Sequence, residues 1–102
     1  MNTVIYKKTC YDGSCLDDSS HYCQFLRFST LPFIPHTGMT ISDASFLEKI
    51  ESILWDNANQ HFVLTCENSF LQSSSKINFE GSLEFELQLG WDEKHEIYPL
   101  NN

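Results

Sequence analysis

Residues 83–89, Leu83-Glu84-Phe85-Glu86-Leu87-Gln88-Leu89, alternate apolar and polar side chains without a break. Period two is the repeat of a β-strand with one face on a core and the other in water, so this stretch predicts a half-buried strand. Gly81 and Gly90 punctuate its ends, and the tail from Trp91 onward is polar, with Pro99 opposing any regular element. Working back toward the N-terminus, the chain reads in the same idiom. Asn2 to Tyr11 is rich in β-branched and aromatic residues and predicts a strand that turns at Asp12-Gly13. His21 to Thr30 predicts a second, with Tyr22, Leu26 and Phe28 on one face and Cys23 and Phe25 on the other. Pro32 and Pro35 bracket Phe33-Ile34, which suits an edge or crossing segment, and a short strand follows from Met39 to Ser42.

The segment from Asp43 to Asp56 is ambiguous. Phe46, Leu47, Ile50, Ile53 and Leu54 fall at helical spacing, yet Lys49 to Trp55 also reads as one arm of a hairpin whose other arm is His61 to Cys66. A helical turn near Ala44 to Leu47 followed by the hairpin reconciles the two. The expectation is a mainly β chain: about six antiparallel strands in a small barrel or strongly bent sheet, at most one short helix near 43–54, and one compact domain over 1–102. A chain of 102 residues has room for a single core.

Six Lys and Arg against fourteen Asp and Glu leave a formal charge of −8. Such a balance repels nucleic-acid phosphates and anionic membranes and favours encounter with a basic protein surface. No apolar run reaches the ~18 residues of a membrane span, and the N-terminal residues lack a signal-peptide core. A cytoplasmic protein is therefore expected, with Cys10, Cys15, Cys23 and Cys66 as free thiols.

Three constellations carry side chains capable of chemistry or binding. Cys10, Cys15, His21 and Cys23 are zinc-type ligands within fourteen positions, but their spacing departs from the usual knuckle, so no metal and no cofactor are expected. A cysteine nucleophile with His21, His36, His61 or His95 as base lacks any surrounding motif, and no glycine-rich phosphate loop or serine elbow occurs. The chain is not expected to be an enzyme. The third constellation is acidic: Glu80, Glu84, Glu86, Asp92, Glu93 and Glu96 lie close together with Lys94 as the only base between Glu80 and Glu96. On a strand face such carboxylates stand about 7 Å apart and can pair with Arg and Lys of a partner. Trp91, Tyr98 and Trp55 are the aromatic anchors that such a contact would need.

The run Leu31 to Ile41 (Leu-Pro-Phe-Ile-Pro-His-Thr-Gly-Met-Thr-Ile), with Ile50 to Asp56 and Phe62 to Leu64, resembles small β-rich accessory proteins of phages and bacteria, of the anti-CRISPR or immunity-protein kind. That resemblance covers the middle third of the chain and transfers no functional residue. With the charge, it implies an inhibitor that occupies a basic, nucleic-acid-binding surface of its target, such as a nuclease or CRISPR effector. Two alternatives stand beside it: a zinc-stabilised or small-ligand module, and a self-assembling component, for instance a homodimer joined through strand edges.

Overall fold

β1 (Asn2–Tyr11) is the hub of the molecule, whose computed structural model describes residues 1–100. It pairs antiparallel with β2 (His21–Leu31) over ten registered pairs, from Asn2 opposite Leu31 to Tyr11 opposite Tyr22. Beyond β2 come β3 (Thr40–Asp43), β4 (Phe46–Asp56) and β5 (His61–Cys66), and β5 lies along the other edge of β1 in parallel, from Val4 opposite Phe62 to Lys7 opposite Thr65. β6 (Ser69–Phe70) continues that parallel pairing, and after α1 (Lys76–Leu87) the short strands β7 (Glu93–Lys94) and β8 (Tyr98–Pro99) run antiparallel along the outer edge of β2. The order across the sheet is β3-β4-β5-β1-β2-β7.

The mainly β expectation holds, and four of its details do not. The sheet is mixed rather than antiparallel, because the chain returns from β4 and β5 to the free edge of β1 in the direction of β1 itself. Among the described residues it has eight strands and is open rather than closed into a barrel, with β3 at one end and the C-terminal strands at the other. The helical turn expected near 43–54 is absent: β3 ends at Asp43, Ala44 and Ser45 make the turn of a hairpin, and β4 runs on from Phe46 as one long strand. A β-bulge explains the helical spacing. Ile50 pairs with Cys66 and Ser52 with Thr65, so Glu51 is an extra residue, and the inward positions become Phe46, Glu48, Ile50 and then Ile53. One inserted residue converts part of a period-two pattern into an i, i+4, i+7 pattern.

The fourth correction is the largest. The alternating stretch 83–89 is not a strand; Leu83 to Leu87 form the second half of α1. The segment holds no β-branched residue, whereas Leu, Glu and Gln are good helix formers, and Ser75 caps the helix by accepting a hydrogen bond from the Asn78 amide at 3.2 Å. In helical register Phe79, Leu83 and Glu86 fall on one side, and that side is buried against the sheet.

The core lies between α1 and one sheet face. Val4, Tyr6 and Cys10 of β1, Cys23 and Phe25 of β2, Phe46 and Ile50 of β4, and Leu64 and Cys66 of β5 meet Phe79 and Leu83 of the helix. Trp91 closes one end, its ring 5.9 Å from Phe25 and 5.1 Å from Phe46. No helix among the described residues is long and apolar enough to cross a membrane.

Candidate functional site

The helix disperses the acidic cluster that a strand would have aligned. Consecutive helical residues are rotated by about 100°, so Glu84 and Glu86 diverge by more than half a turn. Glu86 faces inward and is only 8% exposed. Its carboxylate accepts a hydrogen bond from Lys8 Nζ at 2.5 Å, and Glu48 accepts another from the same ammonium at 2.8 Å. The Lys8 ammonium also lies 5.8 Å from the Trp91 ring centroid. Burial opposes the charge on Lys8, but the hydrogen bonds it donates to Glu48 and Glu86 outweigh that and its pKa lies above the ordinary lysine value. For Glu48 burial dominates: its carboxyl sits above the usual range despite the lowering by Lys8. These three groups form a buried ion cluster between sheet and helix.

The other acids of the predicted face remain outside. Glu80 and Glu84, one helical turn apart, are exposed and border a groove of about 500 Å³ between α1 and the C-terminal segment. Lys76, Ile77, Lys94, Glu96 and Ile97 complete its walls, together with Gly81. Lys94 Nζ is 3.0 Å from Glu84, and with Lys76 on the same wall the carboxylates of Glu80, Glu84 and Glu96 exceed the ammonium groups by one charge. Asp92 is committed elsewhere, accepting a hydrogen bond from the Phe28 amide at 2.8 Å on the edge of β2. Glu93 lies 3.8 Å from the His95 ring. Of the aromatic anchors, Trp91 is a core residue, Trp55 packs edge-on against Phe62 at 4.9 Å and keeps one side in water, and Tyr98 leans on Tyr22 at 5.8 Å while half exposed.

The cysteine and histidine constellation is not drawn together either. Cys10 and Cys23 are paired across β1 and β2 and fully buried, Cys15 is exposed in the β1–β2 loop, and His21 turns its Nδ1 to Asp12 at 3.2 Å. No group of three or more His, Cys, Asp or Glu that could hold a metal occurs among the described residues. Burial pushes the Cys10 and Cys66 thiols up to about 12, so neither supplies a thiolate near neutral pH.

Sequence reasoning missed a second polar concavity. A pocket of about 430 Å³ is lined by Asp12, Gly13, Ser14, Asp18 and Ser20 of the β1–β2 loop, by His21 at the start of β2, and by Gln72 to Ser75 with Lys76 at the start of α1. Asp12 Oδ1 accepts from the backbone amides of Ser20 and His21; burial raises its carboxyl, but these bonds and the His21 ring bring it below the usual range. The Ser73 hydroxyl is buried with no hydrogen-bond partner among the described residues. The sequence signals for this site are the Asp12-Gly13 turn and a Ser73-Ser74-Ser75 run 60 positions away, each of which by itself indicates only a loop. No protein-family model, no curated protein and no solved structure matches this chain.

Proposed function

We propose that this chain is a non-catalytic protein-binding inhibitor that engages a basic, nucleic-acid-binding surface of its target, as in an anti-defence or immunity protein. The observation that carries this reading is the groove between α1 and the C-terminal segment, where Glu80, Glu84 and Glu96 surround the apolar side chains of Ile77 and Ile97. A Lys or Arg of the partner fits such a groove, its aliphatic stem on the isoleucines and its charge on the carboxylates. Exposed pairs contribute little singly, so the apolar floor is what would give the contact strength. The test is capture of basic proteins from host lysate by tagged wild type and by a Glu80→Lys, Glu96→Lys variant, at low and high salt. A basic nucleic-acid-handling protein retained by wild type at low salt, and lost both at high salt and by the variant, is expected; equal retention by both proteins removes this mechanism.

A second reading rests on the unpartnered Ser73 hydroxyl beside the Asp12 and His21 pocket, which suits a small polar ligand. A ligand screen by thermal shift separates it from the first: a stabilising compound whose effect disappears in His21→Ala, with protein capture unchanged, would move the function to this pocket.

A further inference from the structure

The sheet has a second face, opposite α1, on which Lys7, Phe28, Lys49 and Leu54 are exposed among the described residues. With Val4, Tyr6 and Cys10 turned to the helix, alternation turns Ile5 and Lys7 away from it. Register then lines up Phe28, Ile5, Val63 and Leu54 as one apolar row across β2, β1, β5 and β4. The ends of the row are the most open: Phe28 is 49% exposed and Leu54 64%. The neighbouring row is Leu26, Lys7, Thr65 and Ser52, so Lys7 stands near the middle of this face, and Lys49 of β4 is turned the same way between the inward Glu48 and Ile50. Lys7 and Lys49 are both exposed, Lys7 near the middle of this face and Lys49 toward the β3 end, with the exposed bulge residue Glu51 beside Lys49.

The opposite side of the molecule is the outer surface of α1, and it is apolar as well. Ile77 is 80% exposed and Phe85 65%, two turns apart on the side away from Phe79 and Leu83. Gly81 lies between them, and a Cβ added there would meet no atom within 4 Å. A glycine inside a helix is destabilising relative to alanine. Nothing within the chain requires it, whereas a missing side chain between Ile77 and Phe85 lets another surface approach the helix backbone closely. Glu80 and Glu84 border the same stripe.

We infer that the occupant of the open sheet face is the α1 surface of a second copy of this chain. The contact repeats the helix-on-sheet layering that each subunit already uses inside, with Ile77 and Phe85 on the Phe28 to Leu54 row and Glu80 and Glu84 toward Lys7 and Lys49. Pairing like with like is disfavoured by charge: sheet against sheet sets Lys7 near its own copy, and a two-fold helix pair sets Glu80 and Glu84 beside theirs. Because each copy offers one surface of each kind, the contact is head-to-tail and adds subunits one after another rather than closing at two. Stacking covers the carboxylates assigned to the basic partner, so that partner would end a stack. The inference stands independently of the inhibitor reading, and its test uses purified protein alone.

That test is mass in solution by sedimentation over rising concentration at low salt. Wild type is expected to grow past the dimer. Leu54→Lys and Phe85→Lys, each at an exposed side chain and each checked for an unchanged circular-dichroism spectrum, are expected to stay monomeric alone. Their mixture is expected to form a heterodimer and stop, since only one intact face of each kind remains. A wild type that is monomeric throughout, a dimer that persists in either single variant, or a mixture that stays monomeric would each overturn the inference.

Discussion

A single lysine decides how two glutamates are used. Lys8, Glu48 and Glu86 are each nearly buried, and their charges are tolerable only together. Replacing Lys8 by Met strands two carboxylates under the helix and is expected to cost about 3 kcal/mol in urea unfolding; adding Glu48→Gln and Glu86→Gln should recover much of that loss. The same geometry means that Glu86→Lys sets two ammonium groups together and reports on stability rather than on binding. Among the cysteines, burial separates one from three. Cys15 is exposed while Cys10, Cys23 and Cys66 are buried, so native protein treated with iodoacetamide at neutral pH should gain one adduct quickly and the others only on unfolding. Mass spectrometry counts them directly.

α1 and β4 illustrate how local pattern misleads at the scale of an element. Each carries the other's signature: the helix ends in a strict period-two run, and the strand shows helical spacing through its bulge. Four alternating apolar residues are compatible with a helix whose outer side is also apolar, and Phe85 is such an outer residue. A stronger signal for the helix was present in Ser75 as cap and in the lack of β-branched residues from Asn78 to Leu87. Two substitutions test the element itself. Gly81→Ala meets open space and should raise stability by about 0.5–1 kcal/mol. Ser75→Ala removes the bond to the Asn78 amide and should lower it by about 1 kcal/mol. Gly90 gives the contrasting control, because its φ of +104° and a Cβ position 2.8 Å from Arg27 and 3.0 Å from Phe46 make Gly90→Ala destabilising.

For the molecule as a whole, the buried thiols define an alkaline limit. Cys10 and Cys66 have folded pKa values raised to about 12 from an ordinary 9.0. Stability contributed by keeping them neutral is complete below pH 9.0 and is lost as pH climbs from there toward 12, because the unfolded thiols ionise first. Each thiol should remove about 1.4 kcal/mol per pH unit in that window. Urea unfolding of wild type against Cys66→Ala across the same range should show a shallower alkaline loss in the variant.

Residue order alone determined that the chain is strand-rich and acidic, that Asn2 to Tyr11, His21 to Thr30 and His61 to Cys66 are strands, and which face of β2 carries Cys23 and Phe25. These follow from β-branched content and period-two alternation, which act between near neighbours. Tertiary structure alone decided the rest: that β5 lies parallel to β1, that 76–87 coils into a helix over the sheet, that Glu86 turns inward to Lys8 while Glu80 and Glu84 stay in water, and that Asp12 and Ser73 share a pocket. Each of those outcomes depends on groups far apart in sequence. The sheet needs one face covered, a buried ammonium needs carboxylates from two other elements, and no window of local sequence contains both sides of either requirement.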